Sequence, residues 1–266
     1  MPGVGRRSAL VVVLLVWLQA VDQQVEGRLH DLIGWSESYK GGKQKDEHQH
    51  DGTLWVESLS WEPRAYLYHN FLSEEECDHL IALGKPSMTK STVVDSVTGK
   101  PMSSTVRTSS GMFLNRGQDP TVKAIEQRIA MYSQIPASQG EGMQILHYEK
   151  TEKYESHYDY FHDEVNKQNG GQRVATMLMY LSDVEEGGET VFPNSSEKPT
   201  KGDPHFSECA QRGVAVKPRK GDALLFYSLT LAGGMDPSSL HGGCPVISGD
   251  KWSATKWMRV HEYAAP

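Results

Sequence analysis

Cysteine, an excess of basic charge and long apolar runs are all scarce in this chain of 266 residues. Its three cysteines, Cys77, Cys209 and Cys244, show no CxxC spacing, which argues against a zinc site built from thiolates. Lys and Arg number 27 against 34 Asp and Glu, a net charge of −7, so nothing electrostatic marks nucleic acid as a partner. No repeat is visible. The longest apolar run, Ala9 to Leu18, falls short of the roughly 20 residues of a membrane-spanning helix. With Arg6 and Arg7 before it and Gln19-Ala20 after it, the run predicts a secretory signal over residues 1–20. An uncleaved anchor is the alternative, and membrane attachment is expected only then. Either reading puts the bulk of the chain in the lumen of the secretory pathway, the endoplasmic reticulum or Golgi.

An oxidising lumen changes what the cysteines imply. A bridge between Cys209 and Cys244 is expected there, although the sequence leaves the pairing open, and Cys77 then reads as a small buried residue of a helix. Asn194-Ser195-Ser196 is a glycosylation sequon.

Residues 21–58 are polar, with no apolar period, and read as a linker or stem, in which His48 and His50 are solvated rather than ligands. One globular domain is expected over 59–264. It opens with a strand in "RAYLYHNFL" and a helix that Ser73 and Glu76 cap and Gly84 ends. A second helix is predicted from Pro120 to Tyr132, with Ile125, Ile129 and Tyr132 on one side. Beyond Met143 short strands alternate with turn residues: "MQILHYEK", "VATMLMYLS", "GETVF", "GVAVKP", "DALLFYS", "SLHGGCPV" and "WSATKWMRV". Helices followed by a dense run of strands imply an α+β fold with a jelly-roll or closed antiparallel sandwich.

Chemistry concentrates in "YESHYDYFHD", residues 154–163. On a strand, His157 and Asp159 point to the same side and can hold one ion. His162 and Asp163 are expected to be solvated, and His147 and Glu149 should point away from the pocket that Tyr148 faces. A third ligand must come from His205, His241 or His261, and His241 has the best context because the two glycines after it leave room beside a metal. Two imidazoles and a carboxylate make the facial triad of non-haem Fe(II) oxygenases, while a zinc hydrolase remains compatible with the same ligands. Lys251 favours the first: a buried lysine at the start of a strand needs an anion, and a dicarboxylate cosubstrate supplies one.

"HYD", "GGETVFP", "VKPRKGDALLFYSL" and "LHGGCPVISGDKWSATKW", in that order, together with "RTSSGMFL", resemble the prolyl 4-hydroxylases, most closely the plant and green-algal type. The resemblance runs from about Leu59 to Tyr263. It implies a double-stranded β-helix and an Fe(II) and 2-oxoglutarate dependent dioxygenase that uses O2 and L-ascorbate and hydroxylates peptidyl proline, with release of succinate and CO2. His157, Asp159 and His241 would hold iron; Lys251, Tyr148 and Thr190 would bind 2-oxoglutarate; Arg107, Ser109, Glu141, Tyr154 and Trp257 would line a groove for a proline-rich polypeptide in polyproline II form. The segment "TKSTVVDSVTGKPMSSTVRTSS", residues 89–110, reads as a mobile loop able to close over that peptide. The resembled type works without a partner subunit, so a monomer is expected. Hydroxylation of another residue in the same cleft, or a non-catalytic module that only binds proline-rich peptides, are the rival readings; the intact ligands and Lys251 count against the second.

Overall fold

The computed structural model describes residues 52–94, 101–103, 106–197 and 204–264, with only the backbone for 92–94 and 101–103. The predicted signal, most of the stem, His48 and His50 lie outside the described residues. In chain order the strands are β1 (Trp55–Trp61), β2 (Arg64–His69), β3 (Thr89–Lys90), β4 (Thr92–Val94), β5 (Pro101–Ser103), β6 (Ser110–Leu114), β7 (Met143–Tyr148) and β8 (Tyr154–His157). They continue with β9 (Arg173–Tyr180), β10 (Glu186–Gly187), β11 (Thr190–Phe192), β12 (Val214–Val216), β13 (Ala223–Tyr227), β14 (His241–Gly243), β15 (Val246–Ser248) and β16 (Lys251–Arg259). The α-helices are α1 (Glu74–Gly84) and α2 (Pro120–Ser133).

Eight strands form a major antiparallel sheet in the order β1-β2-β13-β9-β16-β7-β6-β3, and four form a minor sheet, β12-β11-β14-β8. Together they make the expected double-stranded β-helix, with both helices on the outer face of the major sheet. The helices exist for local reasons. Ser73 Oγ accepts from the Glu76 amide at 3.1 Å and Glu76 Oε2 accepts from the Ser73 amide at 3.0 Å, so α1 starts with a complete capping box. Asp119 Oδ1 caps α2 by accepting from the Val122 amide at 2.8 Å, with Pro120 at the first turn. Arg128 of α2 donates to both oxygens of Glu76, at 2.8 Å each, and so ties the helices together.

Strand alternation decides which side of the major sheet each residue serves. From β9, Ala175, Met177 and Met179 join Leu80, Ile125 and Ile129 in the core beneath the helices. Leu178 and Tyr180 face the other way and pack with Phe192 and Phe226 between the sheets. A strand covered on both faces reads as continuous apolar sequence, as "VATMLMY" does. Cys209 and Cys244 are bridged, with Cα atoms 5.8 Å apart, and Cys77 is buried in α1, where burial pushes its thiol up to about 11.

Two expectations need correction. Among the described residues regular structure begins at Trp55, inside the segment assigned to the stem, because β1 pairs with β2 from Trp55↔His69 to Trp61↔Arg64. Its exposed Glu57 and Ser58 mask the apolar signal of an edge strand. The expected mobile loop at 89–110 also contains regular structure: β3 pairs with β6, and β4 with β5 as a hairpin, as its β-branched residues favour. Residues 95–100 and 104–105 of that loop lie outside the described residues.

Candidate metal centre

The three proposed ligands meet where two strands of the minor sheet pair, with His241 in β14 directly opposite His157 at the end of β8. Asp159 lies just past β8 rather than within it; the chain bends after His157 yet still turns the carboxylate inward, 5 % exposed. His157 Nε2 is 3.6 Å from Asp159 Oδ1, and His241 Nε2 is 3.6 Å from Asp159 Oδ2. One donor atom from each residue falls within 4.8 Å of the others. The rejected candidates His205 and His261 are exposed on the surface, as is His162. Asp163 accepts from the Asn166 amide at 2.8 Å.

Backbone carbonyls set the imidazole tautomers. His157 Nδ1 donates to Glu155 O, and His241 Nδ1 to Ser239 O, each at 2.9 Å, which leaves both Nε2 lone pairs for a cation. Burial pushes His241 down to about 4, with Asp159 opposing, so the ring is neutral at neutral pH. Burial also works against the charge on Asp159, but the neighbouring His241, His157 and Arg173 outweigh it and hold the carboxyl well below the usual carboxylate range. A neutral His241 ring and an ionised Asp159 are protonation states that metal binding requires. With no thiolate in the set and an open side toward the pocket, the residues fit Fe(II) better than a closed structural zinc site.

Lys251 closes the inner end of the same pocket. It is 3 % exposed, and its Nζ donates to the Gly188 carbonyl at 2.7 Å and sits 5.1 Å from the centre of the Tyr148 ring. Among the described residues it forms no ion pair. Burial pushes the amine down to about 8, with Glu189 opposing. The Glu189 carboxylate is committed elsewhere, accepting from Ser207 N and Ser207 Oγ at 2.8 Å each. The backbone just before the Gly188 carbonyl is tightly packed: a Cβ on Gly187, at φ +78°, would lie 2.3 Å from Pro245 O. Tyr148 and Thr190 line the pocket with Lys251, and Thr190 Oγ1 accepts from Tyr180 Oη at 2.8 Å.

Of the five groove residues, Arg107, Tyr154 and Trp257 line this pocket. The Arg107 guanidinium lies 4.7 Å over the Tyr154 ring, and Tyr154 stacks on His157 at 3.6 Å between centroids. Ser109 and Glu141 are placed otherwise. Ser109 is fully buried and donates to Ser91 Oγ at 3.0 Å. Glu141 does not line this pocket and is not solvated: Arg173 Nε at 2.7 Å and Arg259 Nε at 2.6 Å hold its buried carboxylate. His147 points away from the pocket and stacks on Trp252, and Glu149 is exposed and does not line the pocket.

Sequence reasoning passed over Thr176 and Arg173. Thr176 Oγ1 donates to Asp159 Oδ2 at 2.6 Å and orients the carboxylate. Arg173 packs its guanidinium 3.9 Å from the Trp257 ring and reaches Glu141. The available signal was the phase of β9: Thr176 is a polar residue on the face that looks into the pocket.

Residues 143–259, from β7 to the end of β16, match the family model described as the 2OG-Fe(II) oxygenase superfamily. The chain is 65% identical over 216 residues to probable prolyl 4-hydroxylase 3 of Arabidopsis thaliana, covering 80% of this chain and 75% of that protein. It is 55% identical over 239 residues to prolyl 4-hydroxylase 5 of the same plant, covering 88% and 80% respectively. Among solved structures it resembles the viral collagen prolyl hydroxylase of Paramecium Bursaria Chlorella virus-1 in its 2OG complex. That match has a TM-score of 0.55 and 25% identity, and covers 73% of this chain and 95% of the viral one.

Proposed function

The chain belongs to the 2OG-Fe(II) oxygenase superfamily and within it to the prolyl 4-hydroxylases, and from that premise we propose that it hydroxylates proline in proline-rich secretory or cell-wall proteins. Its cofactor is Fe(II) and its cosubstrates are 2-oxoglutarate and O2. When bound, the iron supplies O2 activation coupled to oxidative decarboxylation of 2-oxoglutarate, which yields succinate and CO2. His157, Asp159 and His241 would hold it, beside the pocket that all three line.

Lys251 is the observation that carries the assignment of the inner pocket. Its buried ammonium keeps hydrogen-bonding capacity beyond the Gly188 carbonyl and pairs with the distal carboxylate of 2-oxoglutarate. Thr190 accepts from Tyr180 and can donate its own hydroxyl proton to the same carboxylate, and Tyr148 lies beside it. Anchored there, the cosubstrate is oriented with its keto acid end toward the ligands. On the outer side, Arg107, Tyr154 and Trp257 offer aromatic faces and donors to a polyproline II chain, whose carbonyls are exposed and whose extended form loses little entropy on docking. Glu141 serves that side indirectly, by fixing Arg173 against Trp257.

L-ascorbate as reductant, a lumenal location, sugar on the exposed Asn194 and action as a monomer complete the proposal. The full chain incubated with Fe(II), ascorbate, 2-oxoglutarate and an oligoproline peptide is expected to release succinate and add one oxygen to the peptide. Succinate without peptide oxidation would assign another substrate, and neither product would leave a binding module.

A further inference from the structure

Phe113 stands out on the pocket-facing side of the major sheet because it is a large aromatic residue 55% exposed. Single exposed apolar residues are ordinary, but this one is contiguous with the site. Its ring centre is 6.4 Å from that of Trp257, which lines the metal pocket. In the sheet Phe113 pairs with Gln144, Gln144 pairs with Thr255, and Thr255 and Trp257 occupy the pocket face of β16. The row therefore continues the pocket wall outward to an aromatic face that is 55% exposed.

We infer that Phe113 forms a distal subsite for a proline ring of the substrate. The inference rests on the proline-rich substrate proposed above. An exposed aromatic face is the surface that recognises polyproline II, with its flat apolar rings. Spacing sets the register. Asp159 is held by Thr176 on β9, and Phe113 lies on β6, three strands away through β16 and β7. Neighbouring strands are about 4.8 Å apart, so the subsite is roughly 14 Å from the strand that supports the metal. At about 3.1 Å per residue, that distance corresponds to a proline about four to five residues from the one that reacts.

The test compares the wild-type full chain with Phe113→Ala and Phe113→Tyr on oligoproline peptides of about three, six and ten residues. It reads KM from peptide oxidation and Kd from the anisotropy of a fluorescent peptide, and takes the KM for 2-oxoglutarate as a control. Expected is a wild-type KM that falls between the short and the long peptides. Phe113→Ala should raise KM and Kd for the long peptides about three- to tenfold, leave the short peptide and 2-oxoglutarate unchanged, and be rescued by Phe113→Tyr. Equal long-peptide constants in wild type and Phe113→Ala would overturn the inference. So would an equal rise for every length, which would mean a disturbance passed through Trp257, or a change in sedimentation with unchanged constants, which would mean that Phe113 covers a second copy. A wild-type protein that neither binds nor oxidises any oligoproline would instead remove the parent reading, an outcome visible before any variant is compared.

Discussion

A buried ammonium is expensive unless an anion joins it, so Lys251 ties cosubstrate binding to pH. In the cosubstrate-free protein burial pushes its pKa down to about 8, with Glu189 opposing. The charged form prevails below that value and gives way as pH rises through it, and the attraction for a dicarboxylate is lost with the charge. Calorimetric titration of 2-oxoglutarate should therefore show affinity nearly flat from about pH 6.5 to about pH 8 and falling above. Lys251→Ala should weaken 2-oxoglutarate binding at least about thirtyfold at neutral pH, abolish that slope and leave the peptide KM nearly unchanged. His157 and Asp159 could be read from their spacing of two, His241 from the glycines after it and Lys251 from the anion that a buried amine needs. Thr176 could not, since a threonine in a strand already has a reason to be there. Thr176→Val keeps its shape and removes the donor to Asp159, so Fe(II) affinity measured by chelator competition should fall about 10- to 100-fold while the melting temperature changes little.

At the scale of elements, legibility followed how local the controlling interaction is. The start of α1 could be read because Ser73 and Glu76 satisfy each other's backbone within one turn. The end of β1 nearer the N-terminus could not, because its partner strand alone makes Trp55 to Ser58 a strand. Nor could the pairing of β4 with β5, because the Ser, Thr and Gly of the sequence over 89–110 look like loop. The bend after His157 belongs to the same class: the spacing of His157 and Asp159 suggested one strand, whereas the ladder with β14 ends at His157 and Thr176 draws the carboxylate inward. Because Cys77 and Leu80 of α1 pack on the helix-facing side of the major sheet, its cap bears on stability rather than on chemistry. Ser73→Ala should lower unfolding free energy by about 1 kcal/mol in urea titration and leave both KM values at wild-type level.

For the molecule as a whole, strand order brings distant residues together, and no local pattern announces it. Cys209 and Cys244 are 35 residues apart, one between β11 and β12 and the other just after β14, in the minor sheet that carries His241. The bridge fastens the segment in which Ser207 holds Glu189, the buried acid nearest in effect to Lys251. Removing it frees the unfolded chain to explore more conformations, while the folded sheet keeps its β11-β14 and β8-β14 pairing. Cys209→Ser with Cys244→Ser should therefore destabilise the protein by about 3–4 kcal/mol in chemical denaturation. The sheet pairing that sets His241 opposite His157 survives, so Fe(II) affinity at temperatures well below unfolding should stay within about threefold of wild type. A parallel collapse of metal affinity would instead mean that the bridge, and not the strand pairing, positions His241.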